Sequence, residues 1–131
     1  GDVGEFLGEL CKIRIDNAKK LPDGTIYHEA YVEEGQIKVG ENIRNIKYED
    51  IYYLETATVA HKLKLHTKSG IYEFYGKLKD YEKLDTRFRR CHNSYLINID
   101  YLFEYSPKER TLTMSNGHTC LVSYRYAKNI K

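Results

Sequence analysis

From Thr25 onward, apolar and polar residues alternate with a period near two, the spacing of strands that bury one face. In His61-Lys62-Leu63-Lys64-Leu65-His66, Leu63 and Leu65 face one way and the charged residues the other. Lys68-Ser69-Gly70 then turns the chain into Ile71-Tyr72-Glu73-Phe74-Tyr75, which predicts a hairpin. Two short alternating runs flank Gly40-Glu41-Asn42 within residues 36–48, and Ile51-Tyr52-Tyr53-Leu54-Glu55 supplies a further strand. Later strands are predicted at Tyr95 to Ile99, Tyr101 to Tyr105, Thr111 to Met114 and His118 to Ser123. Asn116-Gly117, between the last two, is the strongest short hairpin signal in the chain. Two stretches carry the helical period instead. Residues 77–84 place Leu78, Tyr81 and Leu84 on one face of a short helix. Residues 5–20 place Phe6, Leu7, Leu10 and Ile13 on one stripe, ended by Leu21-Pro22-Asp23-Gly24. The pattern predicts a mainly β domain over residues 25–131, preceded by a linker helix within residues 1–24 that leads from an upstream domain.

Composition sharpens this in three ways. The 131 residues suffice for one domain with a core. Thirteen Tyr and no Trp suit half-buried pleated surfaces, with the ring inside and the hydroxyl at the rim. Three Cys, an odd and sparse set, point to a reducing, cytoplasmic setting rather than a disulfide scaffold. No apolar run approaches the roughly 18 residues that span a bilayer, and the acidic opening lacks a signal peptide's basic region, so no membrane partner is expected. The chain opens on Gly and reads as an excised piece of a longer protein. Charge is uneven. Residues 1–36 hold 4 Lys/Arg against 8 Asp/Glu, whereas residues 77–131 hold 11 against 6, so the C-terminal part is the side suited to a polyanion.

Candidate chemistry is sparse. No H-E-x-x-H, G-x-S-x-G, Walker or G-x-G-x-x-G motif is present, so neither an enzyme nor a cofactor is expected. Cys91-His92 and His118-x-Cys120 offer four zinc-ligand types, but adjacent strand residues point to opposite faces, and no metal is expected. Cys91 and Cys120 read as inward-facing small hydrophobes, with a reversible disulfide between them as the minority alternative. The residue types that read base edges cluster at predicted loops: His61-Lys62, Arg87 to Asn93, and Tyr124 to Lys128. Arg pairs bidentately with guanine and Asn with adenine, while Lys, Ser and other Arg hold phosphates. Taken singly, each basic residue here is better read as a solvated charge. A β-type protein-interaction module and an RNA-binding sheet with exposed aromatics therefore stay open beside a DNA reader.

Longer motifs narrow the choice. Ile46-Lys47-Tyr48-Glu49-Asp50-Ile51-Tyr52-Tyr53-Leu54-Glu55 resembles the opening of the LytTR family, and Phe74-Tyr75-Gly76-Lys77-Leu78-Lys79 resembles its strand-to-helix step. Arg87-Phe88-Arg89-Arg90-Cys91-His92-Asn93-Ser94-Tyr95-Leu96-Ile97-Asn98 resembles its most specific motif, F-x-R-x-H-x-S-x-x-V-N, and Val122-Ser123-Tyr124-Arg125-Tyr126 its close. The Arg-Cys-His-Asn-Ser variant is most similar to the accessory gene regulator (Agr-type) branch of response regulators, which serves peptide quorum sensing. The resemblance implies an elongated fold of short antiparallel strands in several sheets with one short helix. It implies loops entering successive major grooves of double-stranded DNA at direct repeats, and activation of transcription with RNA polymerase as partner. It further implies an upstream receiver domain phosphorylated by a sensor histidine kinase, and a homodimer on DNA. Matched position by position, His61, Asn93 and Arg125 are the expected base contacts. Lys62, Arg90, Ser94 and Lys128 are the expected phosphate contacts; Lys62 stands where Arg is common, and a point charge cannot reproduce a bidentate fork.

Overall fold

The computed structural model describes residues 18–130. Most of the predicted linker helix, residues 5–17, lies outside them. Its last turn does not form: Ala18–Lys20 is strand β1, paired antiparallel with β2 (Ile26–Glu29) across the Pro22-Asp23-Gly24 turn. The other strands are β3 (Tyr31–Glu33), β4 (Gln36–Val39), β5 (Asn42–Arg44), β6 (Ile51–Thr56), β7 (Lys62–Thr67) and β8 (Gly70–Tyr75). After helix α1 (Leu78–Tyr81) come β9 (Phe88–His92), β10 (Tyr95–Asn98), β11 (Leu102–Ser106), β12 (Thr111–Met114) and β13 (Thr119–Leu121), and a 3-10 segment, Tyr124–Ile130, closes the described chain.

Seven strands form the central sheet, in the order β1-β2-β8-β7-β6-β10-β9. Its pairs are antiparallel except β2 with β8, which run parallel with Tyr27 opposite Ile71. Two three-stranded sheets, β3-β4-β5 and β11-β12-β13, supply side chains to its two faces. Strict alternation sorts neighbours to opposite sides. Leu54, Leu63, Leu65, Phe74 and Leu96 join Val39 of β4 in one cluster; Tyr53 and Ile97 join Leu112, Met114 and Cys120 of β12 and β13 in the other. Each fully buried Leu or Phe stabilises by roughly 1.5–3 kcal/mol, so both faces are held firmly. Most aromatic rings of the central sheet, including Tyr53, Tyr72 and Phe74, are buried in these clusters, while Tyr75 at the end of β8 stays exposed.

Two predicted elements differ. The helix expected over residues 77–84 is one turn, Leu78–Tyr81, anchored by buried Leu78, while Leu84 stays 48% exposed. The segment Arg87 to Asn93, expected as loop, is mostly strand β9. It is one of the two edge strands and buries one apolar side chain per face, Phe88 on one and Cys91 on the other. A strand with a single apolar residue per face carries no alternation to detect.

Candidate nucleic-acid interface

The antiparallel register sets which loops meet. Glu55 near the end of β6 lies opposite Tyr95 at the start of β10, and Lys62 at the start of β7 lies opposite Tyr75 at the end of β8. The turn before β7, the turn between β9 and β10, and the exit of β8 therefore share one end of the sheet. Backbone bonds stitch them together. Thr56 N donates to Ser94 O (3.0 Å), and Gly76 N donates to His61 O (3.0 Å). His61 itself sits in the left-handed region, at φ 68°, a conformation that few non-glycine residues adopt and that here aims its carbonyl at Gly76.

The C-terminal segment is brought to the same end along the free edge of β9. Ser123 N donates to Cys91 O (2.8 Å) and Asn129 Nδ2 to Arg90 O (2.9 Å), while Arg89 Nη1 donates to Asn129 O (3.1 Å). These contacts also satisfy an edge that would otherwise stay open. Tyr126 is the joint: the Arg90 guanidinium lies 5.5 Å from its ring centroid and that of Arg125 5.1 Å.

His61, Asn93, Arg125 and Lys128 are exposed on this rim and Ser94 is half-buried. Lys62 and Arg90 are more committed. Lys62 Nζ lies 3.8 Å from Glu73 Oε2 and 4.9 Å from the Tyr75 ring centroid. Arg90 donates from Nη1 to Glu82 Oε2 (2.6 Å), from Nε to His92 O (2.8 Å) and from Nη2 to Asn93 O (2.9 Å). Its fork thus ties α1's end to the β9–β10 turn. His92 Nδ1 accepts from Ser94 N (3.0 Å) and fixes the same turn from within.

Cys91 and Cys120 are both fully buried in one apolar cluster. Burial pushes the Cys91 thiol up to about 12 and raises that of Cys120 as well. Neither presents a thiolate near neutral pH, the form that oxidation and exchange require. Among the described residues no group of three or more His, Cys, Asp or Glu is placed to hold a metal ion, and no helix is long and apolar enough to cross a membrane.

The family model described as the LytTr DNA-binding domain matches residues 41–131. The chain belongs to this family. This LytTr chain is 39% identical over 102 residues to accessory gene regulator protein A of Staphylococcus epidermidis, covering 78% of this chain and 43% of that protein. It is 38% identical over 99 residues to accessory gene regulator protein A of Staphylococcus aureus, covering 76% and 42%. It therefore spans less than half the length of these relatives. A solved LytTr DNA-binding domain from Bacillus cereus superposes with a TM-score of 0.59 at 25% identity, covering 70% of this chain and 86% of that one. The family is one of DNA-binding domains of transcription regulators rather than of enzymes, and its mainly β, many-sheeted fold is the one described above.

The most specific motif of the LytTr chain divides by environment. Asn93 is exposed, whereas Asn98, five residues later, is fully buried. Its Nδ2 donates to Ile51 O (2.9 Å) and Tyr48 O (3.3 Å), and its Oδ1 accepts from Asp100 N (3.0 Å). Sequence reading did not find Glu82 or Tyr126 as parts of the rim. The alternation of Tyr124-Arg125-Tyr126 carried a faint signal for the latter; nothing local marked Glu82, which acts across the gap to Arg90.

Proposed function

We propose that this domain reads double-stranded DNA sequence-specifically through the rim formed by His61, Asn93 and Arg125, as the output domain of a response regulator in the style of the accessory gene regulators. One observation carries this reading. Three segments about 32 residues apart in sequence converge on one end of the sheet, and each presents an exposed side chain of a base-reading type. Arg125 and His61 are assigned to base edges in successive major grooves and Asn93 to the contact between them. Lys128, Lys62 and Ser94 are assigned to phosphates. Arg90 is assigned chiefly to holding the β9–β10 turn, since three of its donors are already used, which leaves a phosphate contact secondary. The motif resemblance extends the proposal to a wider setting: direct repeats as target, homodimer on DNA, RNA polymerase as partner, and a cytoplasmic full-length protein with a receiver domain phosphorylated by a sensor histidine kinase.

The test is binding to a promoter fragment carrying direct repeats, by fluorescence anisotropy against random duplex across a salt series. Specific reading predicts saturable binding that survives excess random competitor, with specific affinity at least about 10³-fold above non-specific. Arg125→Ala is expected to cost about 1–3 kcal/mol on the cognate site and much less on random DNA, whereas Lys128→Ala weakens both alike and lowers the salt slope by about one. Equal losses from Arg125→Ala on both duplexes would demote Arg125 to a phosphate contact.

A further inference from the structure

On the face of the central sheet opposite Cys91 and Cys120, a cavity of about 340 Å³ opens between the β3-β4-β5 sheet and the core. That is within the range of small-molecule sites, roughly 300–1,000 Å³. Its floor is Leu54 and Leu65 of the central sheet, its walls include Ile37, Ile46 and Phe88, and Ile43, 59% exposed, stands at its mouth. Arg44 is the single charged residue of the lining, with the amides of Gln36 and Asn45 alongside and no carboxylate among the lining residues. One guanidinium N–H goes to Tyr72 Oη (2.8 Å), and Arg44 has no carboxylate partner among the described residues. The roof of the cavity starts at β3, ahead of the segment 41–131 that matches the family model, so the pocket is partly built from residues outside that match.

We propose that this cavity binds an amphipathic carboxylate of medium chain length, its alkyl tail against Ile37, Leu54, Leu65 and Phe88 and its carboxylate on Arg44. The apolar walls call for a tail, and a lone positive charge beside two amides calls for an anionic head. A carboxylate suits the planar guanidinium better than a cation or a neutral alcohol. This site is separate from the rim and does not depend on its reading.

Titration of the 131-residue chain with decanoate below its aggregation concentration, followed by calorimetry and by NMR of methyl groups, tests this. Saturable one-to-one binding is expected, with shifts at Ile37, Ile46 and Leu65 rather than at the rim. Arg44→Gln weakens decanoate about tenfold, the loss of one charge-assisted contact, and leaves DNA affinity intact. Ile46→Trp, which fills the cavity from its wall, abolishes binding in a folded protein. Decyltrimethylammonium binding as tightly as decanoate, or Arg44→Gln leaving decanoate unchanged, overturns the proposal as mere detergent partition. Cross-relaxation between residues 1–17 and the Ile37 methyls in the ligand-free chain also overturns it, because the protein then fills its own cavity.

Discussion

Replacing Asn98 with alanine tests whether the motif that carries the family likeness holds the fold or touches the ligand. Asn98 is fully buried and makes three hydrogen bonds, two donated and one accepted. Loss of the donor to Ile51 O strands a buried carbonyl, which costs about 1–3 kcal/mol. Tyr48 O, at 3.3 Å and on an exposed residue, finds water and adds little. Asp100 N loses the side-chain cap of the 3-10 turn after β10, worth about 0.5–2 kcal/mol. The expected total is about 1.5–5 kcal/mol, a large part of the 5–15 kcal/mol typical of a domain. Urea unfolding followed by circular dichroism should show a lower midpoint at unchanged slope. Where the variant is still folded, DNA affinity should match the wild type. Asn93→Ala is the mirror experiment. The side chain is exposed, so stability should stay within about 0.5 kcal/mol, while cognate affinity falls by about 1–3 kcal/mol if Asn93 meets a base. The reasoning fails if Asn98→Ala is as stable as wild type, or if the folded variant loses specific binding.

Three further outcomes follow from buried groups. Cys91 and Cys120, with thiols raised by burial, should resist iodoacetamide at pH 8 in the native domain and react once it is unfolded; native alkylation at free-thiol rates would contradict their placement. His66 is held below its ordinary value of 6.5, first by desolvation and against the pull of Glu55, whose carboxylate is 2.6 Å away. Its neutral form is therefore the native one, and the stability it contributes is present above about pH 6.5 and lost as the pH falls below that. A His66→Gln variant should flatten stability between pH 7 and 5, and an unchanged slope would remove His66 as the cause. Gly70 has φ +128° and a Cβ there would lie 2.4 Å from Ile26 O, so Gly70→Ala should cost at least about 2 kcal/mol in urea unfolding; a near-neutral result would place β2 differently against β8.

The buried imidazoles carry a second lesson about what local pattern conveys. His66 stacks on Tyr53 with ring centroids 4.1 Å apart, and Tyr53 Oη meets His118 Nδ1 at 2.9 Å. In sequence His66 closes an alternating run as if it were an outward polar residue. It is outward only from the Leu63–Leu65 face, and β11-β12-β13 covers the other side. A polar residue in strict alternation marks the opposite face and does not say whether that face is wet.

Hairpins, turns and the inward sides of β7, β8 and β12 were legible in the sequence, because alternation and turn chemistry act over a few residues. The LytTr motifs were legible for the same reason: they sit in contiguous stretches. Long-range pairing decided the rest. β1 and β2 join the sheet only because Tyr27 meets Ile71, and no local signal distinguishes that parallel pair from a helix ending at Lys20. β9 is a strand because β10 and the C-terminal segment cover its two edges, although its own residues show no period. The rim is likewise a tertiary product. The sequence by itself determined that His61, Asn93 and Arg125 lie at loops or strand ends; only register and edge docking, which close loops over tens of residues, decided that the segments carrying them come together at one end of the sheet.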